Sequence, residues 1–110
     1  MNGRAVYSPT AMRDLDRVWA EVFEVSQSCE IAEKYVFGLM DRVEAKAEFP
    51  RSGSPLYYEN GFTGYYFVVN KSYLAFYRVE DHGILIDRVL MAKSDDLRKL
   101  HLGPSETQSE

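Results

Sequence analysis

The chain has 110 residues, of which 45% are apolar, 27% charged and 14% aromatic, and its net charge is −4. A single domain of this size buries roughly 65% of its unfolded surface, which leaves disorder only for the ends. The acidic surplus argues against the broad basic face that non-specific nucleic-acid binding draws on.

At the start, "MNGRAVYSPT" lacks the apolar run of a signal peptide, and no later run nears the ~20 residues that span a bilayer. A cytoplasmic protein without membrane contact is expected. "RAVYS" is a short strand candidate, after which Ser8 caps a helix with Pro9 at its first position. From Thr10 to about Ser26, residues Met12, Leu15, Val18, Trp19, Val22 and Phe23 recur at helical spacing. Asp14, Arg17, Glu21 and Glu24 are assigned to the other, solvent side. Beyond the link "SQS", a second helix is expected from about Ser28 to Glu48, with Pro50 as its stop. Its apolar stripe is Ile31, Ala32, Tyr35, Val36, Leu39 and Val43, and the short link makes the two helices an antiparallel hairpin. Phe37 falls off this stripe, near Glu33 and Asp41, either as a lone exposed aromatic or as a contact for a partner protein. Cys29 is the single cysteine and forms no internal disulfide, which suits a reducing compartment.

Past Pro50 the periodicity changes. "RSGSPLYYENGFTG" is rich in turn formers, with Asn60-Gly61 a strong turn signal. Three runs of aromatic and β-branched residues follow, "YYFVVN", "YLAFYRV" and "ILIDRVLM", joined by connections short enough to force an antiparallel meander. Ser94 can cap a last short helix, "DDLRKL", and residues 103–110 form a polar tail expected to be disordered. One domain over residues 1–102 is therefore expected, of α+β class. In it, a helical hairpin covers one face of a small antiparallel sheet and a short helix ends the fold.

Two arginines interrupt the last two strands. With a regular hairpin at Glu80–Gly83, Val79 pairs with Ile84, Arg78 with Leu85 and Ala75 with Arg88, which puts the two arginines on opposite faces. Arg78 then shares a face with Asp87 and can pair with it, while Arg88 shares one with Tyr77 and Leu90. A bulge would overturn this parity. Residues 1–50 carry six basic and nine acidic groups, against seven and six over 51–102, so only the second half could supply a basic patch. Cys29, His82 and His101 lack metal-ligand spacing, and neither a metal nor a cofactor is expected.

In order and spacing, "YSPTAMRDLDRVW", "AEKYVFGLMDRVEAKAEFPRSGSPL" and "LAFYRVEDHGILIDRVLMAKSDDL" resemble the RelE/ParE superfamily of toxins from type II toxin–antitoxin modules, over residues 5–100. The "SP-x-A-x-x-DL" opening, "FPRSG" and "FYRVED" are similar to the ParE and plasmid-stabilisation side. The resemblance implies a growth-inhibiting toxin held in a hetero-oligomer by a cognate antitoxin. ParE-like relatives poison DNA gyrase, whereas RelE-like relatives cut messenger RNA on the ribosome without a metal. Cutting RNA needs a base, an acid and cations around the phosphate, the acid and base each contributing roughly 10²–10⁴-fold. For that chemistry the resemblance offers Arg88 at the phosphate, His101 as proton shuttle, and Arg51, Lys93 and Arg98 as RNA- or target-binding groups. Lys46 lies near Arg51 in sequence. Where many relatives carry a histidine and a tyrosine after "RVL", this chain has Met91 and Asp96. Neither is a proton shuttle at neutral pH, so binding to a protein target is the expectation, with RNA cleavage the alternative. Phe37, Tyr57 and Tyr58 are the expected antitoxin contacts.

Overall fold

The computed structural model describes residues 3–92, so Lys93, Arg98, His101, the short helix expected after Ser94 and the tail 103–110 lie outside the described residues. The elements run β1 (Arg4–Tyr7), α1 (Pro9–Ser26), α2 (Cys29–Glu44), β2 (Ser54–Tyr58), β3 (Gly61–Asn70), β4 (Tyr73–Glu80) and β5 (Gly83–Met91). The strands form one sheet in the order β1-β5-β4-β3-β2. All neighbours are antiparallel except β1, which pairs in parallel with β5 through Arg4↔Gly83 to Tyr7↔Ile86.

Local chemistry sets the helix ends. The Ser8 hydroxyl accepts from Ala11 N at 2.9 Å with Pro9 behind it, and the Ser28 hydroxyl accepts from Ile31 N at 3.1 Å. Gln27 turns left-handed at φ 57° to close α1 and start the hairpin. The second helix ends at Glu44, earlier than expected, because the backbone tightens into 3-10 turns at Ala45–Ala47 and Pro50–Ser52.

Three further expectations are corrected. β2 arises inside the segment read as turns: Pro55 lacks a donor, which an edge strand tolerates. Glu59 and Asn60, at φ 51° and 70°, make the left-handed two-residue turn into β3. Met12 and Ile31, counted among the buried stripes, are exposed, Ile31 by 51%. Asp14, assigned to solvent, is buried at 2% exposure.

The helices cover one face of the sheet. Ala11, Leu15, Val18, Val36, Leu39 and Val43 meet Tyr66, Val68, Ala75, Tyr77, Ile84, Ile86 and Val89 there. A smaller cluster on the sheet gathers Phe76 and Leu90, both fully buried, with Leu56, Tyr65, Phe67 and Leu74. Glycine at 53 is required by a close approach. A Cβ there would lie 2.3 Å from the Tyr77 hydroxyl, which accepts from Gly53 N at 3.1 Å and donates to Pro50 O at 2.6 Å.

Candidate functional site

The junction of α1 with β5 is the most strongly built polar feature among the described residues. Tyr77 pairs with Ile86 but Phe76 with Arg88, so Asp87 is the extra residue of a β-bulge. The expected pairing of Ala75 with Arg88 is thereby replaced: Ala75 faces Val89. At the bulge the Arg88 guanidinium meets Asp14 of α1 through two parallel bonds, Nε to Oδ2 at 2.9 Å and Nη2 to Oδ1 at 3.1 Å. Asp14 Oδ2 also accepts from Val89 N at 2.9 Å, and Oδ1 from Arg17 Nη1 at 2.9 Å. Arg17 in turn donates to Val89 O at 2.9 Å. Burial by itself would raise the Asp14 carboxyl, but the bonds from Arg88, Val89 and Arg17 outweigh it and hold the group below the ordinary carboxylate range. Above β1, where β5 has lost its neighbouring strand, Ser8, Asp14 and Arg17 take over that strand's hydrogen bonds. Ser8 completes the set, donating from its hydroxyl to Asp87 O at 2.9 Å.

The sequence contains the signal for this: Asp14 stands three residues after Ala11 and four before Val18, on the buried stripe of α1. An acidic group there needs a cationic partner from the sheet.

Arg78, expected to pair with Asp87, instead lies 3.9 Å from Glu80 and over the Tyr65 ring, 6.0 Å from its centroid. Tyr65 takes Asp87, donating to it at 2.7 Å. Burial, then this bond and the Asp87 charge, push the Tyr65 phenol up to about 12. Tyr7 donates to Glu44 at 2.6 Å and Tyr73 to Glu21; burial first and then these carboxylates push both phenols upward as well. His82, in the β4–β5 turn, has its Nε2 3.2 Å from Ile84 O.

Arg51 sits exposed in the 3-10 turn Pro50–Ser52, and no ion pair among the described residues engages it. A groove of about 440 Å³ beside this turn is lined by Arg42, Lys46, Ser52, Ser54, Phe67 and Val69. Arg88 contributes to neither groove nor turn, being held at α1.

The three expected antitoxin contacts separate. Phe37 is 60% exposed on the outer side of α2, with no ring contact to either tyrosine. Tyr57, 62% exposed, begins an aromatic ladder: its ring lies 5.8 Å from Phe62, Phe62 lies 5.3 Å from Tyr66, and Tyr66 stacks at 5.6 Å on Tyr77 in the core. Tyr58 is half-buried beside it at the end of β2. A second groove, of about 390 Å³ and largely apolar, was not foreseen. Val22, Val25, Ile31, Tyr35, Tyr73 and Met91 line it where the linked end of the helical hairpin meets β4 and β5. Val25 stands seven residues after Val18, in line with the apolar stripe of α1, yet in the last turn of the helix it is 88% exposed.

No helix among the described residues is long and apolar enough to cross a membrane, and no three His, Cys, Asp or Glu side chains gather there as metal ligands. Residues 5–96 match the family described as the ParE toxin of the type II toxin–antitoxin system, parDE. No curated protein matches the chain. Solved structures share its fold, two of them from toxin–antitoxin systems. One is the chromosomal ParDE toxin–antitoxin system from P. aeruginosa, at TM-score 0.67 and 20% identity, covering 83% of this chain and 97% of that one. The other is the toxin–antitoxin complex RelBE2 from Mycobacterium tuberculosis, at TM-score 0.54 and 22% identity, covering 83% and 99%.

Proposed function

The chain belongs to the ParE toxin family of type II toxin–antitoxin systems, and we propose that it stops growth by gripping a protein target, DNA gyrase, until a cognate antitoxin covers it. The observation that carries this reading is the bidentate bond of Arg88 to buried Asp14. A guanidinium already neutralised by a carboxylate and fixed into the α1–β5 junction is poorly placed to receive the charge of a scissile phosphate. Met91, at the position where the resemblance puts a catalytic histidine, supplies apolar surface to the second groove instead. The tyrosines Tyr7, Tyr65 and Tyr73 donate to carboxylates and are pushed above the ordinary phenol range, away from use as bases near neutrality.

A gripping protein needs exposed anchors on a rigid base. The Tyr57–Phe62 pair, braced through Tyr66 onto the core, and the apolar groove at Val25 and Ile31 have that character. In this reading Phe37, Tyr57 and Tyr58 contact the antitoxin, while Arg51, Lys93 and Arg98 contact the target. The module serves plasmid stabilisation or its chromosomal counterpart.

The ribosome-dependent ribonuclease reading is supported by one observation, the cations Arg42, Lys46 and Arg51 around a single turn. Purified chain added to gyrase and relaxed plasmid separates the two. The proposal expects inhibition of supercoiling or accumulation of cleaved DNA. Undisturbed gyrase, together with messages cut on ribosomes by the same preparation, would reverse it.

A further inference from the structure

The groove of about 390 Å³ at the linked end of the helical hairpin is apolar because its tyrosines spend their polar ends elsewhere. Tyr73 donates to Glu21, which also lies 3.8 Å from Arg17, and Tyr35 donates to Asn70 O at 3.2 Å. The two rings, packed edge to face at 5.8 Å, turn carbon toward the groove beside Val22 and Met91. Val25 and Ile31 stand exposed at its rim. An apolar rim beside an apolar groove gains by being covered.

The charges around this groove are divided. On the helical rim Glu24 and Glu30 are exposed carboxylates. On the opposite rim, in the β3–β4 turn, Lys71 is exposed with its Nζ 5.3 Å from the Tyr35 ring centroid. None of the three enters an ion pair among the described residues. Across a two-fold axis the same patch meets itself, so an acidic rim on one copy falls against a basic rim on the other. We infer that the free chain forms a symmetric dimer through this groove. Val25 of each copy enters the groove of the other, while Glu24 and Glu30 face Lys71 of the second copy. The signs of the charges select this occupant: a wholly acidic or wholly basic partner satisfies one rim and is repelled by the other, whereas a second copy satisfies both. The inference holds whichever target the chain acts on, and it makes the dimer a competitor of any protein that uses the groove at Val25 and Ile31.

Sedimentation velocity of the full chain, made in a cell-free extract, tests this between about 1 and 200 µM, the range in which a small interface associates. A monomer–dimer equilibrium is expected. Val25→Asp changes a residue that is already exposed, so it should leave the circular dichroism unchanged and weaken the dimer at least about tenfold. Lys71→Glu and the double variant Glu24→Lys/Glu30→Lys should each weaken it by about the same factor. Mixing those two weakened chains should restore a heterodimer, because each then meets opposite charge on both rims. A misfolded variant would give no such rescue. A chain that is monomeric throughout, including one whose groove takes up antitoxin alone, would overturn the inference. So would association that continues past the dimer, a dimer indifferent to Val25→Asp, or a mixture that stays monomeric.

Discussion

Replacing Arg88 by alanine strands the Asp14 carboxylate, which is 2% exposed, with two of its four hydrogen bonds gone. Breaking a buried ion pair from one side costs about 3–5 kcal/mol. Arg17 and the Val89 N–H remain on the carboxylate, which sets the expected loss at the lower end, about 3 kcal/mol. With a urea dependence of about 1.5 kcal/mol per molar for a domain of this size, the midpoint should fall by about 2 M. Trp19, stacked on Phe23 in α1 at 5.4 Å, reports the transition by fluorescence at neutral pH. Arg88→Lys keeps the charge but offers one donor group in place of the planar fork, and should lose an intermediate amount. The double variant Asp14→Leu/Arg88→Met removes both charges and should recover more than half of the loss. A loss under about 1 kcal/mol for Arg88→Ala would place the pair among ordinary surface ion pairs. It would also remove the argument that this arginine is committed to structure. Growth assays on Arg88 variants are interpretable only beside this stability measurement.

Other expectations follow from the same contacts. Because the Asp14 carboxyl is held low in the folded chain, its contribution is full above the unfolded value of about 3.9 and is lost as pH falls below it. Urea midpoints between about pH 5 and 2 should therefore drop more steeply for the native chain than for Asp14→Asn, and parallel profiles would contradict this. Phenols raised in the folded chain contribute stability below about pH 10 that is lost as pH climbs through their folded values. Ultraviolet titration should show Tyr65 ionising near 12 with Tyr7 and Tyr73 still later, whereas all eight tyrosines ionising together near 10 would refute the carboxylate bonds. The complex with antitoxin should survive about 1 M NaCl on its apolar contacts, which screening leaves intact. Dissociation at that salt would show the contact to be chiefly ionic.

Much of this architecture is legible in the residues. Ser8-Pro9, Ser28 and the spacing of Leu15, Val18, Leu39 and Val43 specify the helical hairpin, because caps and period are local signals. What escapes local reading depends on partners far along the chain. Asp14 looks like a solvent residue until Arg88, 74 positions later, neutralises it. The bulge at Asp87 leaves no local mark, since "ILIDRVLM" alternates acceptably in either register, and only the bonds from α1 to Val89 fix which is adopted. β2 was hidden by Pro55 and the surrounding glycines, which report turn chemistry faithfully but not that an edge strand can accommodate it. The candidate surfaces are the least legible of all. An apolar groove is assembled from the ends of two helices and two strands, and Tyr57 gains its rigidity from rings that are remote in the core.

The central claim, a toxin that acts by binding gyrase, is met most directly by inducing the chain alone in a bacterium and recording growth together with a DNA-damage reporter. Arrest with the reporter switched on is the predicted result. Arrest with the reporter silent, and messages cut within ribosomes, would contradict it and return Arg51 and its neighbouring cations to the role of an RNA-binding face.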